Sequence, residues 1–162
     1  MTRPLPPTFE ELMTMTGQEL GVSDWALVDQ ARINAFAECT GDRQWVHTDP
    51  ERARRESPFR KPVAHGKLIL AMVSGLGQEM NVLPENTQGV INRGLDNVKF
   101  LAAVPVDSRV RLRSTLMSVE NAGPGQYLAR VLNAIEVEGK DAPALTCETV
   151  SMFYERRPKR PA

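Results

Sequence analysis

A short stretch of the chain, from Thr40 to Pro50, carries a carboxylate and an imidazole whose spacing suits proton transfer. Asp42 and His47 lie five positions apart, directly after a predicted helix. A turn there can bring both side chains around one small polar molecule such as water. Histidine titrates near neutrality and a nearby carboxylate raises its proton affinity, so the pair is suited to moving protons at pH 7. The alternative is that Asp42 caps a turn while His47 packs against Trp45.

A second stretch, from Pro62 to Leu68, leads into a predicted helix that begins at Gly66. The backbone N–H groups in the first turn of a helix have no partner within the helix and lie at its positive end. The Gly66 N–H could therefore hold a carbonyl oxygen that gains charge, and glycine lets a bound molecule approach the backbone closely. A plain glycine at a loop-to-helix junction is the alternative.

The first half of the chain is predicted to be helical and irregular. Thr8 can cap a short helix, Asp29 is a good N-cap for a helix that ends at Gly41, and Asp49 can cap a short basic helix over residues 51–55. A short strand is predicted over residues 25–28. The segment from Gly66 to about residue 80 is apolar nearly all round, which is typical of a helix in the protein interior.

After Pro84 the apolar residues recur with a period of two, which predicts strands. The predicted strands cover residues 90–100, 108–120, 126–138 and 144–154, with turn residues between them. Short connections favour antiparallel pairing. The predicted fold class is therefore α+β, a hot-dog fold in which an antiparallel sheet wraps around a central buried helix. A partner subunit commonly closes the open edge of such a sheet, so a homodimer is expected.

Composition limits the classes of function. The 162 residues, with 41% apolar and 25% charged side chains, predict one domain over residues 1–162, with a core over about 17–154 and a flexible basic tail over 155–162. Lys plus Arg equals Asp plus Glu at 20 each, which argues against a nucleic-acid partner. The longest apolar run, Leu68 to Val73, is too short to span a membrane. Two distant cysteines, Cys39 and Cys147, favour the reducing cytoplasm.

The run from Phe36 to Ser74 resembles the MaoC-like, (R)-specific enoyl-CoA hydratase family. The matching motifs are Thr40-Gly41-Asp42, Val46-His47 and Ala64-His65-Gly66, followed by Val98-Lys99-Phe100 and Pro105-Val106. The similarity extends from about Gly17 to Tyr154. Gln44-Trp45 replaces the Asn-Pro usual in the family, as in a subgroup similar to NodN-like proteins and their mycobacterial hydratase relatives.

The resemblance implies reversible syn addition of water to a trans-2-enoyl thioester, which yields the (R)-3-hydroxyacyl product. Asp42 and His47 would hold the water and pass its proton to the α-carbon, and the Gly66 N–H would bind the thioester oxygen. Ser74 matches a family serine that supports the site, and Trp45, which lies in the motif, is expected to contact the substrate or the residues that hold it. His65 is expected to be structural, orienting the loop through a backbone hydrogen bond.

The resemblance implies that no metal or redox cofactor is needed. A zinc site formed by Asp42, His47 and His65 is conceivable, but no recognised ligand spacing supports it. The expected partner is a substrate carried on coenzyme A or on acyl carrier protein, without nucleic acid or membrane. Its phosphates could contact the basic segment that follows the catalytic loop, at Arg52, Arg55, Arg60 and Lys61. A solvated helix face is the alternative for this segment.

Two other functions fit the same fold. An acyl thioesterase would be expected to carry an acid on the central helix, but the stretch from Gly66 to Gln78 has no carboxylate and Glu79 comes near the helix end. A non-catalytic module that binds acyl thioesters could lose Asp42 or His47, whereas this chain keeps both. Binding of an enoyl thioester without turnover would favour such a module.

Overall fold

The computed structural model describes residues 6–80 and 82–156, and within these ranges the chain forms five helices and six strands. The helices are α1 (Phe9–Thr14), α2 (Gln30–Thr40), α3 (Trp45–Thr48), α4 (Pro50–Glu56) and α5 (Gly66–Glu79). The strands are β1 (Glu19–Val22), β2 (Ala26–Val28), β3 (Thr87–Phe100), β4 (Ser108–Gly123), β5 (Gln126–Val137) and β6 (Leu145–Glu155). None of the helices in these ranges is both long and apolar enough to cross a membrane.

All six strands belong to one antiparallel sheet in the order β1-β4-β5-β6-β3, with β2 also paired to β4. Buried and more exposed residues alternate along β4 and the second half of β5, as the period of two predicts, whereas no residue of β3 is buried. β3 pairs with β6 on one side, so its other side forms an edge of the sheet. The short strands β1 and β2 cover two successive parts of β4 at the other edge.

Helix α5 lies against the inner face of this sheet. Its apolar residues Leu68, Ile69, Met72, Val73 and Leu76 are buried, in one cluster with core residues of β4, β5 and β6. Full burial of such a side chain contributes about 1.5–3 kcal/mol each, so this contact is the main source of stability for both elements. The predicted hot-dog fold, a sheet wrapped around one central helix, is confirmed.

Three local predictions need correction. The region from Thr40 to Pro50 is not a plain loop, because α3 forms one helical turn within it; four residues are too few for a periodic signal. Strand β1 was not predicted, since its four residues, which include Gly21 at a positive φ of 156°, lack an alternating pattern. The predicted tail begins too early, because Glu155 is the last residue of β6; residues 157–162 lie outside the described ranges.

The packed structure also begins earlier than the predicted start of the core near residue 17. Helix α1 has a capping box, in which the Thr8 hydroxyl accepts from the Glu11 N–H and the Glu11 carboxylate accepts from the Thr8 N–H. Phe9 is buried and stacks on Tyr127, with ring centroids 4.3 Å apart. Helix α1 therefore closes one end of the sheet.

We predict opposite effects for the same substitution at two glycines. Gly41 ends α2 at φ 75°, whereas Gly75 lies inside α5; a Cβ added at either position meets nothing within 4 Å. Gly41→Ala should lower the free energy of unfolding by about 1 kcal/mol, because alanine is strained at positive φ. Gly75→Ala should raise it by about 0.5–1 kcal/mol through helix propensity. Urea denaturation measures both, and a stabilised Gly41→Ala variant would contradict the assigned backbone conformation.

Candidate active site

The site begins where α2 ends. Asp29 caps the start of α2 by accepting from the Arg32 N–H, and Gly41 ends the helix in the left-handed conformation, with its N–H bonded to the Ala37 carbonyl at 2.8 Å. The chain then turns, and Asp42 accepts a hydrogen bond from the Gln44 side-chain amide at 3.1 Å. This bond is the main reason that the pKa of Asp42 is lowered from 3.8, so its carboxylate is ionised at neutral pH.

His47 lies in α3, on the one-turn helix that follows Asp42. Its Nδ1 is 2.7 Å from the carbonyl oxygen of Val63. A carbonyl can only accept, so Nδ1 carries the proton and, in the neutral ring, Nε2 keeps a free lone pair. The lone pair on Nε2 makes His47 a proton acceptor.

The pKa of His47 is lowered from 6.5, and burial is the largest cause. His65 lowers this pKa further, whereas the bond to Val63 and the charge of Asp42 raise it. The sequence-based expectation that the carboxylate raises the proton affinity of the imidazole therefore describes one contribution and not the net shift. Loss of hydration on burial outweighs that contribution, and His47 is neutral at pH 7.

His65 joins the two motifs. Its Nε2 donates to the backbone carbonyl of Asp42 at 2.8 Å, so the backbone hydrogen bond expected of this residue is present. The ring is 3% exposed, stacks on His47 with centroids 3.8 Å apart, and contacts Phe36 of α2 with ring centroids 5.2 Å apart. His47 thus packs against His65 and not, as the alternative interpretation had it, merely against Trp45.

Together Asp42, His47 and His65 form a compact cluster. One oxygen or nitrogen atom of each side chain lies within 4.8 Å of those of the other two. Such a cluster could in principle hold a metal ion, but the two rings are stacked at an angle of 28°. A metal-bound imidazole points an in-plane lone pair at the ion, and face-to-face rings cannot both do so at one ion. The cluster fits proton transfer better than metal coordination.

Gly66 is the first residue of α5 and directly follows His65. Among the described residues its N–H donates to no acceptor, as expected for the first turn of a helix. A Cβ added here would lie 2.8 Å from Cδ1 of Phe100, so the position is restricted to glycine while that ring stays in place. A hollow of about 310 Å³ adjoins this glycine, lined mostly by apolar residues that include Phe100 and Ile69. The free N–H of Gly66 therefore lies beside a hollow that could receive a carbonyl oxygen.

Ser74 does not join this cluster. It lies eight residues after Gly66 on α5, roughly 12 Å along the helix axis at 1.5 Å per residue. It lines a separate cavity of about 710 Å³ between the second half of α5 and the sheet. The polar residues Ser114 and Asn133 on the floor of this cavity were missed by the sequence analysis. Their signal was a break in the apolar alternation of β4 and β5.

The basic segment after the loop is largely engaged in local contacts. Arg52 pairs with Glu56 at 2.7 Å and places its guanidinium over the ring of Trp45, 4.5 Å from the centroid. Trp45 therefore supports α4 and does not enter the Asp42 cluster.

The other basic residues that the sequence analysis selected have weaker contacts. Arg60 donates to the Arg55 carbonyl at 3.3 Å, and Lys61 lies 3.5 Å from the Val106 carbonyl. The guanidinium of Arg55 reaches Glu56 only at 4.0 Å. Arg55, Arg60 and Lys61 are exposed, so they remain able to meet an anion.

A profile of the family described as MaoC like domain matches residues 11–136. The chain is 42% identical over 149 residues to 3-hydroxyacyl-thioester dehydratase Z of Mycobacterium tuberculosis, covering 90% of this chain and 97% of that protein. It is 40% identical over 138 residues to Nodulation protein N of Rhizobium leguminosarum, covering 85% of each.

Among solved structures, an (R)-hydratase from A. caviae involved in PHA biosynthesis superposes with a TM-score of 0.68 at 26% identity. The match covers 88% of this chain and 96% of that one. The solved structure therefore shares the fold over nearly its whole length.

We predict that the imidazole of His47 titrates below 6.5, because it is partly buried. Asp42→Asn should lower this pKa further, since it removes the charge that favours the imidazolium. NMR titration of the ring Cε1–H signals measures this directly, and His47→Gln assigns them because the chain has two histidines. A pKa at or above 6.5, or a rise in the Asp42→Asn variant, would contradict the assigned surroundings.

Proposed function

Since the chain belongs to the MaoC-like domain family, we propose that it is an (R)-specific enoyl-thioester hydratase, a hydro-lyase that also runs in reverse as a 3-hydroxyacyl-thioester dehydratase. The observation that carries this proposal is the placement of the Asp42 carboxylate beside His47, with the free N–H of Gly66 next in the chain to the His65 ring that stacks on His47. A dehydratase relative that is 42% identical over nearly its whole length supports the same activity.

In the proposed reaction, Asp42 and His47 hold one water molecule. At neutral pH the Asp42 carboxylate and the His47 Nε2 can both accept a proton. As the water oxygen bonds to C3 of the enoyl thioester, the Asp42–His47 pair takes a proton from the water. The pair then passes a proton to C2 on the same face. The elements of water are thereby added, with no net change in the charge of the pair and no change in oxidation state of the protein.

The proposed role of Gly66 follows from where negative charge develops. Attack at C3 moves electron density through C2 to the thioester oxygen, which becomes enolate-like. The N–H of Gly66 stands at the positive end of α5 and can donate to that oxygen. Because the charge grows on the way to the transition state, this bond strengthens when it is needed.

No resident cofactor belongs to this proposal, because the reaction transfers only a proton and a hydroxyl group. The acyl group would be carried by coenzyme A or by acyl carrier protein. Both carriers bear phosphates, and the exposed Arg55, Arg60 and Lys61, with Arg52 nearby, are the proposed contacts. The free thiol of the exposed Cys39 fits a reducing cytoplasm, where we propose that the protein works.

We predict that the purified protein hydrates crotonyl-CoA to the (R)-3-hydroxy product. Asp42→Asn and His47→Gln should each lower kcat by about 10²- to 10⁴-fold, because each removes a proton-transfer group. Loss of absorbance of the conjugated thioester gives the rate, and chiral analysis gives the product.

Asp49→Asn is the matched control for this experiment. It neutralises a carboxylate in the same loop, while asparagine can keep the cap that Asp49 provides to α4. The control should keep wild-type activity. Binding of enoyl-CoA without turnover by the wild-type protein would instead favour a non-catalytic acyl-binding module.

We also propose that the protein is a homodimer formed through the free edge of β3. This strand is 14 residues long and, among the residues that the structure describes, pairs with β6 alone, which leaves a row of backbone groups available to a second strand. It exposes Val90, Ile91, Leu95 and Phe100, the last by 55%, and Leu101 follows it. An exposed apolar edge of this length is the kind of surface that a second copy covers.

The proposed pairing has a consequence for the site. Two antiparallel copies of β3, related by a two-fold axis near their middle, place the Phe100 end of one beside the Thr87 end of the other. Gly66 contacts Phe100, whereas Thr87 and Val90 line the large cavity. The acyl chain of a thioester bound at Gly66 of one copy would then enter the large cavity of its partner.

We predict that the double variant Ile91→Asp, Leu95→Asp is monomeric and inactive, because buried charges at the paired edge disfavour association. Light scattering after gel filtration gives the mass, and crotonyl-CoA hydration gives the activity. Leu132→Asp is the matched control, since Leu132 is an exposed leucine on β5 away from that edge. A double variant that remains dimeric would rule out pairing through β3.

A further inference from the structure

The large cavity differs from an ordinary acyl pocket in the chemistry of its floor. It occupies about 710 Å³, and its walls include the apolar side chains of Val73, Met80, Leu112 and Leu116. The proton-transfer cluster does not line it. An unsubstituted acyl chain makes only apolar contacts, so it does not explain polar side chains that are buried in this cavity.

Three polar side chains stand in a row across the middle of the floor. Ser114 of β4 and Asn133 of β5 are direct cross-strand partners, and Thr149 of β6 lies next to Asn133. Ser114 is 2% exposed and Asn133 is 3% exposed. The inward positions on either side along β4, Leu112 and Leu116, are buried and apolar. The row therefore interrupts the apolar run of inward-facing residues along β4.

Hydrogen bonds within the row leave acceptors unused. Ser114 donates to the Asn133 oxygen at 2.7 Å, and Asn133 donates to the Thr149 hydroxyl and to the Val131 carbonyl, both at 3.0 Å. Thr149 donates to the same carbonyl at 3.5 Å. The N–H and O–H groups of these side chains thus have acceptors, whereas the Ser114 and Asn133 oxygens each keep a lone pair. The floor can accept a hydrogen bond from a guest molecule.

A further hydroxyl at the same cavity belongs to Thr87. The Oγ1 of Thr87 is buried and has no hydrogen-bond partner among the described residues. Thr87 lines the cavity at the start of β3, and Ser74 lines it from α5. A buried hydroxyl without a partner costs about 1–3 kcal/mol, which a guest with a suitable oxygen would recover.

The charged groups at the cavity restrict what that guest can be. Among the described residues that line it, the one charged side chain is that of Glu85, which is exposed. No Lys or Arg of these ranges lines the cavity, so a buried carboxylate would have no counter-ion. A keto group can accept but cannot donate to the free lone pairs of the floor. A hydroxyl group can do both.

We propose that the preferred substrate carries a hydroxyl group on its acyl chain, beyond the carbons that react, and that Ser114, Asn133 and Thr87 bind it. This inference rests on the proposed function and on the proposed pairing of β3, which together bring the acyl chain of a thioester into the cavity. The acyl chain is thus selected by hydrogen bonding as well as by length.

The test compares ligands that differ by one hydroxyl. Octanoyl-CoA and its 5-, 6- and 7-hydroxy derivatives are saturated, so their dissociation constants can be measured by calorimetry on the wild-type protein without turnover. At least one hydroxy isomer should bind about tenfold more tightly than octanoyl-CoA, the value of one good hydrogen bond to a buried group. Octanoyl-CoA binding as tightly as all three isomers, or no binding of any of them, would overturn the proposal.

Variants then identify the side chains that bind the hydroxyl group. The double variant Ser114→Ala, Asn133→Leu removes both partners together, and Thr87→Val removes one hydroxyl without changing shape. Each variant should reduce the ratio of the dissociation constant of octanoyl-CoA to that of the hydroxy isomer. The double variant should bring this ratio to about one or below. Thr115→Val is the control, since Thr115 is the next residue on β4 and is not among the residues that line the cavity. It should keep the wild-type preference.

The two proposals fail separately. If crotonyl-CoA is not hydrated but a hydroxy isomer binds more tightly and the variants abolish that difference, the pocket chemistry holds and the catalytic proposal is wrong. If crotonyl-CoA is hydrated but the preference is absent, or survives unchanged in both Thr87→Val and a folded double variant, the hydroxyl proposal is wrong. Thermal denaturation establishes that each variant is folded.

Discussion

The hydrogen bond from His65 to the Asp42 carbonyl is the interaction on which the rest of the site depends. It is 2.8 Å long, its donor His65 is 3% exposed, and it ties the turn after α2 to the start of α5. Because the His65 ring also stacks on His47, one side chain positions the carboxylate, the imidazole and the helix N-terminus relative to each other. Without this bond, the His47 Nδ1–H bond to the Val63 carbonyl would still join the two motifs, but the turn that carries Asp42 would not be tied to the start of α5.

Burial has two consequences for the chemistry. It lowers the pKa of His47 in spite of the neighbouring carboxylate, so the ring is neutral, and the Val63 carbonyl fixes its proton on Nδ1. A neutral acceptor therefore lies beside an ionised carboxylate, two groups whose pKa values are held on the acidic side of neutrality by different causes. Burial also raises the free-energy cost of polar groups on the sheet. The row from Ser114 to Asn133 is therefore best explained by selection of a substrate that carries a hydroxyl group.

The hot-dog arrangement separates these tasks in space. The first turn of α5 supplies the N–H group, and its second half forms one wall of the large cavity. The two lie roughly 12 Å apart along one helix at 1.5 Å per residue. The edge strand β3 contacts both, Phe100 at Gly66 and Thr87 at the cavity. Antiparallel pairing of two β3 edges is the simplest way to bring the Phe100 end of each copy beside the Thr87 end of its partner.

The sequence by itself determined the long elements and the antiparallel character of the sheet, and it predicted that Asp42 and His47 act together, because periodicity, caps and motif spacing are local signals. It missed the single turn of α3 and the four residues of β1, which are too short for such a signal. It also grouped Ser74 with the Asp42 cluster, although eight residues of helix separate Ser74 from Gly66. Only the tertiary structure decided which contacts surround each group. The direction of the His47 pKa shift, the stacking on His65 and the polar floor of the cavity all depend on residues distant in the chain, and local patterns do not encode the burial that governs them.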